Sequence, residues 1–179
     1  MKATGVVRRI DDLGRIVIPK EIRRTMRMRE GDPLEIFTGA GGEIIFKKYS
    51  MMAQLSELGQ SYADSLYKVS GLNCVIFDDD KIIAATGQGK KDVIGQGATK
   101  EICEVLQQRT SYFRTYGDAG RVLPFVHSEQ WVVGAAPIIA SGDGVGVVAF
   151  ISADQDSITE IQKKLLVLTA SLLATHLEI

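Results

Sequence analysis

Cysteine is scarce: the 179-residue chain holds two, Cys74 and Cys103. Two thiols make no disulfide framework, and no Cys-x-x-Cys or His-x-x-His spacing accompanies them. Both sit among apolar neighbours and read as reduced, buried side chains. Histidine is equally rare, at two, His127 and His176. His127 adjoins Ser128 and Glu129, but neighbours along a strand point to opposite faces, so no Ser-His-acid constellation follows. No apolar run approaches the ~20 residues that span a bilayer, and no apolar leader follows Met1. The chain reads as cytoplasmic, with no membrane partner. P-loop spacing is missing around Gly87-Gln88-Gly89-Lys90-Lys91. Asp78-Asp79-Asp80 lacks the Ca²⁺-loop pattern and reads as a hairpin tip. The expectation is no metal, no cofactor and no enzyme.

What the chain does have is an uneven distribution of charge. Residues 1–50 carry eleven cations against seven anions, and the remainder carries ten against fifteen. The overall balance of −1 therefore hides a basic first part and an acidic second. A basic segment of this kind meets a polyanion.

In the basic part, Gly5–Ile10 reads as a strand, Asp11–Gly14 as a turn and Arg15–Ile18 as a β-branched strand. Pro19 suits the first position of a short helix running to Met26 or Met28, and Gly31-Asp32-Pro33 ends it. Leu34–Thr38 and Glu43–Lys47 read as two more strands around Gly39-Ala40-Gly41-Gly42. A segment of about fifty residues without disulfide or metal buries too little surface to stand alone, so an obligate dimer is expected.

Thr4-Gly5-Val6-Val7-Arg8, Asp12-Leu13-Gly14-Arg15-Ile16-Val17-Ile18-Pro19 and Glu21-Ile22-Arg23-Arg24-Thr25 resemble the N-terminal domain of AbrB-type transition-state regulators. The likeness covers almost all of residues 1–50. It implies a swapped-hairpin β-barrel formed by two interleaved chains. It also implies DNA contacts from Arg8, Arg15, Arg23 and Arg24, with Arg9 a less close match, and places Lys47 and Lys48 at a basic strand end. The chemistry agrees: arginine is always charged and offers a planar fork to phosphate or to guanine O6 and N7. Arg23 and Arg24 diverge by ~100° on a helix, and Arg27 prolongs one side of that face. The resemblance further implies recognition of DNA shape more than of a strict base code.

Beyond residue 50, Met51 to about Ser70 shows helical spacing at Leu55, Leu58, Tyr62, Leu66 and Val69, ended by Gly71. With no flexible linker, residues 51–55 read as a helical joint between domains 1–50 and 51–179. There follow strands at Asn73–Phe77 and Lys81–Thr86, a loop over Gly87–Gly97, a helix over Thr99–Gln107 and strands near Arg121–His127, Trp131–Ile139 and Val145–Ser152. Pro137 marks an edge or a bulge. A final helix over Ser157–Leu177 has one apolar stripe at Ile158, Ile161, Leu165, Leu168 and Leu172, and a second at Leu166, Leu173 and Leu177. A helix apolar on two sides needs two partners, so the first and last helices are expected to bundle with another subunit.

That order, with Ala136-Pro137-Ile138 and Gly144-Val145-Gly146-Val147-Val148-Ala149-Phe150 as its last two strands, is similar to the GAF family of small-molecule sensor domains. The fold class is therefore expected to be α+β, with the second domain an antiparallel sheet flanked by helices. The resemblance implies an effector pocket without naming an effector. Trp131, Phe77 and Phe125 read as ordinary aromatic packing more than as pocket walls. The two parts together resemble sporulation-stage transcription regulators. The implied mechanism is double-stranded DNA bound by N-terminal dimers, joined into a tetramer through the C-terminal helices, near the nucleoid. Two rivals remain. Swapped-hairpin domains also serve as antitoxins that capture a protein, and some GAF-like domains are thiol-dependent methionine sulfoxide reductases. The first rival lacks an extended tail here, and the second lacks an electropositive cysteine.

Overall fold

The computed structural model describes residues 5–26, 28–49, 56–87 and 89–177. Arg27, Leu55 and the joint at 51–55 lie outside the described residues. The chain divides into two compact units, 1–49 and 50–179.

In the first unit, helix α1 spans Lys20–Thr25, shorter than the sequence pattern predicts at its C-terminal end. Pro19 stands at the N-cap and not inside the helix. Strands β1 (Leu34–Thr38) and β2 (Ile44–Lys48) pair antiparallel, with Glu35 opposite Lys47 and Ile36 opposite Phe46. The turn closes through the Gly39 N–H donating to Glu43 O at 2.9 Å, and Gly42 takes φ +79°, which glycine adopts without a Cβ clash. Segments 5–10 and 15–18, expected as strands, form no ladder within the single chain. A strand exists only through its partner, and this hairpin offers them none.

The second unit holds an antiparallel five-stranded sheet in the order β4-β3-β7-β6-β5. Its strands are β3 (Asn73–Phe77), β4 (Ile82–Ala85), β5 (Tyr112–Phe113), β6 (Trp131–Ala140) and β7 (Asp143–Ser152). β6 and β7 are joined by Ser141-Gly142 at φ +49° and +84°, a two-residue turn with both central residues left-handed. β5 pairs only with Gly134 and Ala135, so β6 is an open edge at Pro137, where the missing N–H costs nothing.

Helices cover both faces. α2 (Ser56–Ser70) and α5 (Glu160–Leu177) pack on one, over a core of Leu66, Cys74, Ile76, Trp131, Phe150, Leu166 and Leu173. α4 (Lys100–Gln108) covers the other, over Val75, Phe77, Ile102, Leu106, Val132 and Val147. The expected loop at 87–97 contains a four-residue helix, α3 (Lys90–Val93). The strand expected near Arg121–His127 is irregular instead, and Phe125 makes one isolated bridge to Ala98. Pro124 supplies no ladder N–H there, and His127 takes a left-handed φ of +66°, so neither supports an extended run. The sheet edge is taken by the short β5, whose Arg114 N–H continues on to Val133 O at 2.9 Å.

Candidate nucleic-acid interface

The arginines are set on three kinds of backbone. Arg8 and Arg9 lie on the extended segment that enters the Asp11 turn, Arg15 leaves that turn, and Arg23 and Arg24 form the last turn of α1. Arg23 is half-buried and the other four are exposed. Among the described residues no ion pair or side-chain hydrogen bond engages Arg8, Arg9, Arg23 or Arg24. Four such cations ordered without counter-charges leave their donors to solvent or to an anionic partner.

Arg15 is different. The Asp11 carboxylate accepts backbone N–H bonds from Leu13 at 3.0 Å and Arg15 at 2.7 Å through Oδ1. Its Oδ2 accepts the Arg15 Nε–H at 2.8 Å. The Asp11 N–H returns to Arg15 O at 3.1 Å and Gly14, at φ +76°, completes the turn. These bonds hold the Asp11 carboxyl below its ordinary range, the Arg15 backbone N–H first and its guanidinium second. Sequence reasoning named Arg15 as a candidate and did not anticipate its pairing with Asp11. The signal that would have found it is an acid four residues before an arginine across a glycine turn.

Lys47 stacks over the Phe37 ring at 4.6 Å, and Lys48 approaches Asp32 at 3.8 Å, so the basic strand end is partly engaged within its own unit.

No described residue between 5 and 49 is buried. Val7 is 87% exposed and Val17 72%, and Ile10, Leu13, Ile36 and Ile44 are exposed beside them. Apolar surface of this extent on a small unit marks an association face.

In the second unit the features set aside from the sequence are accounted for locally. Asp78 sits at the tip of the β3–β4 hairpin, nearly fully buried, and its Oδ1 accepts the N–H of Asp80 and of Lys81. Burial pushes its carboxyl up, and those two bonds oppose the shift. Cys74 lies in the core beneath α2 and α5, where burial, with a smaller contribution from Asp64, pushes its thiol up. Cys103 is on α4, over the other face of the sheet. Phe77 and Trp131 likewise belong to opposite cores, and Phe125 packs near Phe77, so the three share no cavity. Trp131 instead carries the Arg121 guanidinium 3.6 Å from its ring and donates Nε1–H to Gln155 O at 3.1 Å.

The outer face of α5 is open. Ile161 is 72% exposed and Leu168 56%, with Val167 and Leu172 beside them. A trough of about 520 Å³ runs along this face, lined by Phe113, Lys163, Val167, Leu168 and Ser171.

The antiparallel sheet with helices on both faces is a GAF-type fold. It matches the GAF domain of an Acinetobacter phosphoenolpyruvate-protein phosphotransferase at TM-score 0.54, over 73% of this chain and 84% of that one, at 11% identity. Residues 54–178 match the family described as "Stage V sporulation protein T C-terminal, transcription factor". Stage V sporulation protein T of Bacillus subtilis (strain 168) is 42% identical over 99% of both chains. The chain belongs to the stage V sporulation protein T family of transcription factors. Its N-terminal part is also similar to the transition state regulatory protein AbrB of the same organism, 44% identical over 40% of this chain and 73% of that protein. Residues 7–53 match the family "Antidote-toxin recognition MazE, bacterial antitoxin".

Proposed function

We propose that the chain is a DNA-binding regulator of sporulation-stage genes whose first domain, residues 1–50, functions only as a two-chain swapped-hairpin barrel. Segments 5–10 and 15–18 become strands when a second chain supplies their partners, and the exposed Val7, Ile10, Val17 and Ile36 become the shared core. Arg8, Arg15, Arg23 and Arg24, with Arg9, then face double-stranded DNA from both chains. The observation that carries this reading is a unit with no buried described residue that presents Arg8, Arg9, Arg23 and Arg24 without a counter-charge among the described residues. Burial of the apolar set stabilises at roughly 25 cal/mol per Å², and only association supplies it.

Domain 51–179 adds the second contact. The open face of α5 meets another copy and joins two barrels into a tetramer with two DNA-binding ends. A small-molecule effector acts only by binding the two arrangements unequally. The protein is not an enzyme, since its relatives are transcription factors, and it works in the cytoplasm on the nucleoid.

The test is DNA binding across a salt series with an Arg23→Ala, Arg24→Ala variant alongside. Arg8, Arg15, Arg23 and Arg24, counted over both chains and without Arg9, set a slope of log affinity on log salt approaching roughly −7, and the variant should lose about half of it. A wild-type slope near −2 contradicts the arginine surface. The match of residues 7–53 to an antitoxin family supports one other reading, capture of a protein partner. No DNA binding at low salt, with a small protein co-purifying in fixed ratio, establishes that reading instead.

A further inference from the structure

We infer that Asp11 is a positioning residue that presents Arg15 as the sequence-reading arginine of the surface, while Arg8, Arg9, Arg23 and Arg24 bind phosphates. The inference rests on the DNA-binding reading and deepens it.

A guanidinium has two forked edges, one made by Nε with one terminal nitrogen, the other by the two terminal nitrogens. Asp11 Oδ2 occupies Nε at 2.8 Å. The side-on edge is therefore spent, and the end-on fork points away from the carboxylate. That fork matches guanine O6 and N7, whose discrimination depends on angle and not on charge alone. The carboxylate is itself fixed, because its other oxygen holds the Leu13 and Arg15 backbone amides. One side chain thus locks both the turn and the direction of the arginine it carries. This pair is exposed, with side-chain exposures of 69% for Arg15 and 37% for Asp11. Exposed pairs contribute little to stability, so orientation is what the arrangement supplies. Among the described residues the other four arginines have no such support. Flexible forks tolerate any phosphate but discriminate poorly between bases.

Asp11→Asn isolates the effect. Its amide oxygen can still accept the two backbone bonds, whereas its NH₂ cannot accept from Nε. The full-length chain is used to select duplexes from a randomised pool of about two helical turns, and each variant is measured on the selected duplex and on random-sequence duplex. Asp11→Asn should keep the salt slope and reduce the ratio of the two affinities about five- to a hundredfold, the range that one bidentate pair discriminates. Arg15→Lys, which keeps the charge and removes the fork, should do the same, and it serves if Asp11→Asn fails to fold by circular dichroism. Asp12→Asn makes the same charge change one residue away and should raise both affinities while leaving the ratio intact. An unchanged ratio in Asp11→Asn, or a wild-type chain that binds but selects nothing, overturns the role of Asp11 alone. A wild-type chain that binds no DNA overturns the DNA reading with it.

Discussion

Asp11 ties the arginine-bearing turn to pH. Its carboxyl lies below the ordinary value of 3.8, chiefly through the Arg15 backbone N–H and then the Arg15 side chain. A depressed carboxylate contributes stability above its unfolded value and loses it as pH falls through the folded one. The turn should therefore stay intact down to its ordinary value of 3.8 and loosen only below it. The amide resonances of Leu13 and Arg15 report this, and a common midpoint at or above 3.8 would contradict the bonding described. At the same scale, Arg8→Ala should weaken binding to all duplexes alike and make the salt slope about 0.9 less negative for each phosphate left unneutralised. Weakening confined to one sequence would make Arg8 a base reader instead.

Among the elements, β6 packs tightly at Gly134 against α5 and the residues that lead into it. A methyl group there would strike Ile158 and lie 2.9 Å from Leu166 Cδ1, both of them core side chains. Gly134→Ala should cost about 1–3 kcal/mol by overpacking, read as a lower urea midpoint with an unchanged m-value. Neutral behaviour would mean that α5 shifts freely on the sheet. This is also where legibility divides. β1, β2, β3, β6 and β7 follow from alternation or apolar runs bounded by turns, and α4 from Ile102 and Leu106 four apart. β5, with two residues, has no period to detect. Segments 5–10 and 15–18 have strand chemistry but no ladder within the single chain, and an alternation pattern does not say which strand would pair with them. Arg15 was legible from a motif, whereas the Asp11 pairing spans a turn, where helical i,i+4 reasoning does not look.

For the whole molecule, the proposed tetramer rests on α5. Its buried side, Leu166, Ala170 and Leu173, belongs to the sheet, and its other side, Ile161, Leu168 and Leu172, is open. Of the first stripe read from the sequence, Ile161, Leu168 and Leu172 are open, whereas Ile158 is buried and Leu165 packs on the core together with the second stripe, Leu166, Leu173 and Leu177. Leu168→Glu places a charge on the open side without touching the core. It should halve the mass seen by light scattering, from four chains to two, with an unchanged circular dichroism spectrum. A variant that keeps the wild-type mass would move the second association surface off α5.

The proposed pairing of a first unit with no buried described residue would also set how the regulator responds to its own supply. Where chains are scarce, and folding waits on an encounter between two of them, the number of competent units grows with the square of chain concentration. Doubling synthesis then yields about fourfold more DNA-competent protein at the low end, falling to proportionality once pairing saturates. Promoters served by such a protein stay silent through small fluctuations in expression and respond together once output passes the pairing constant.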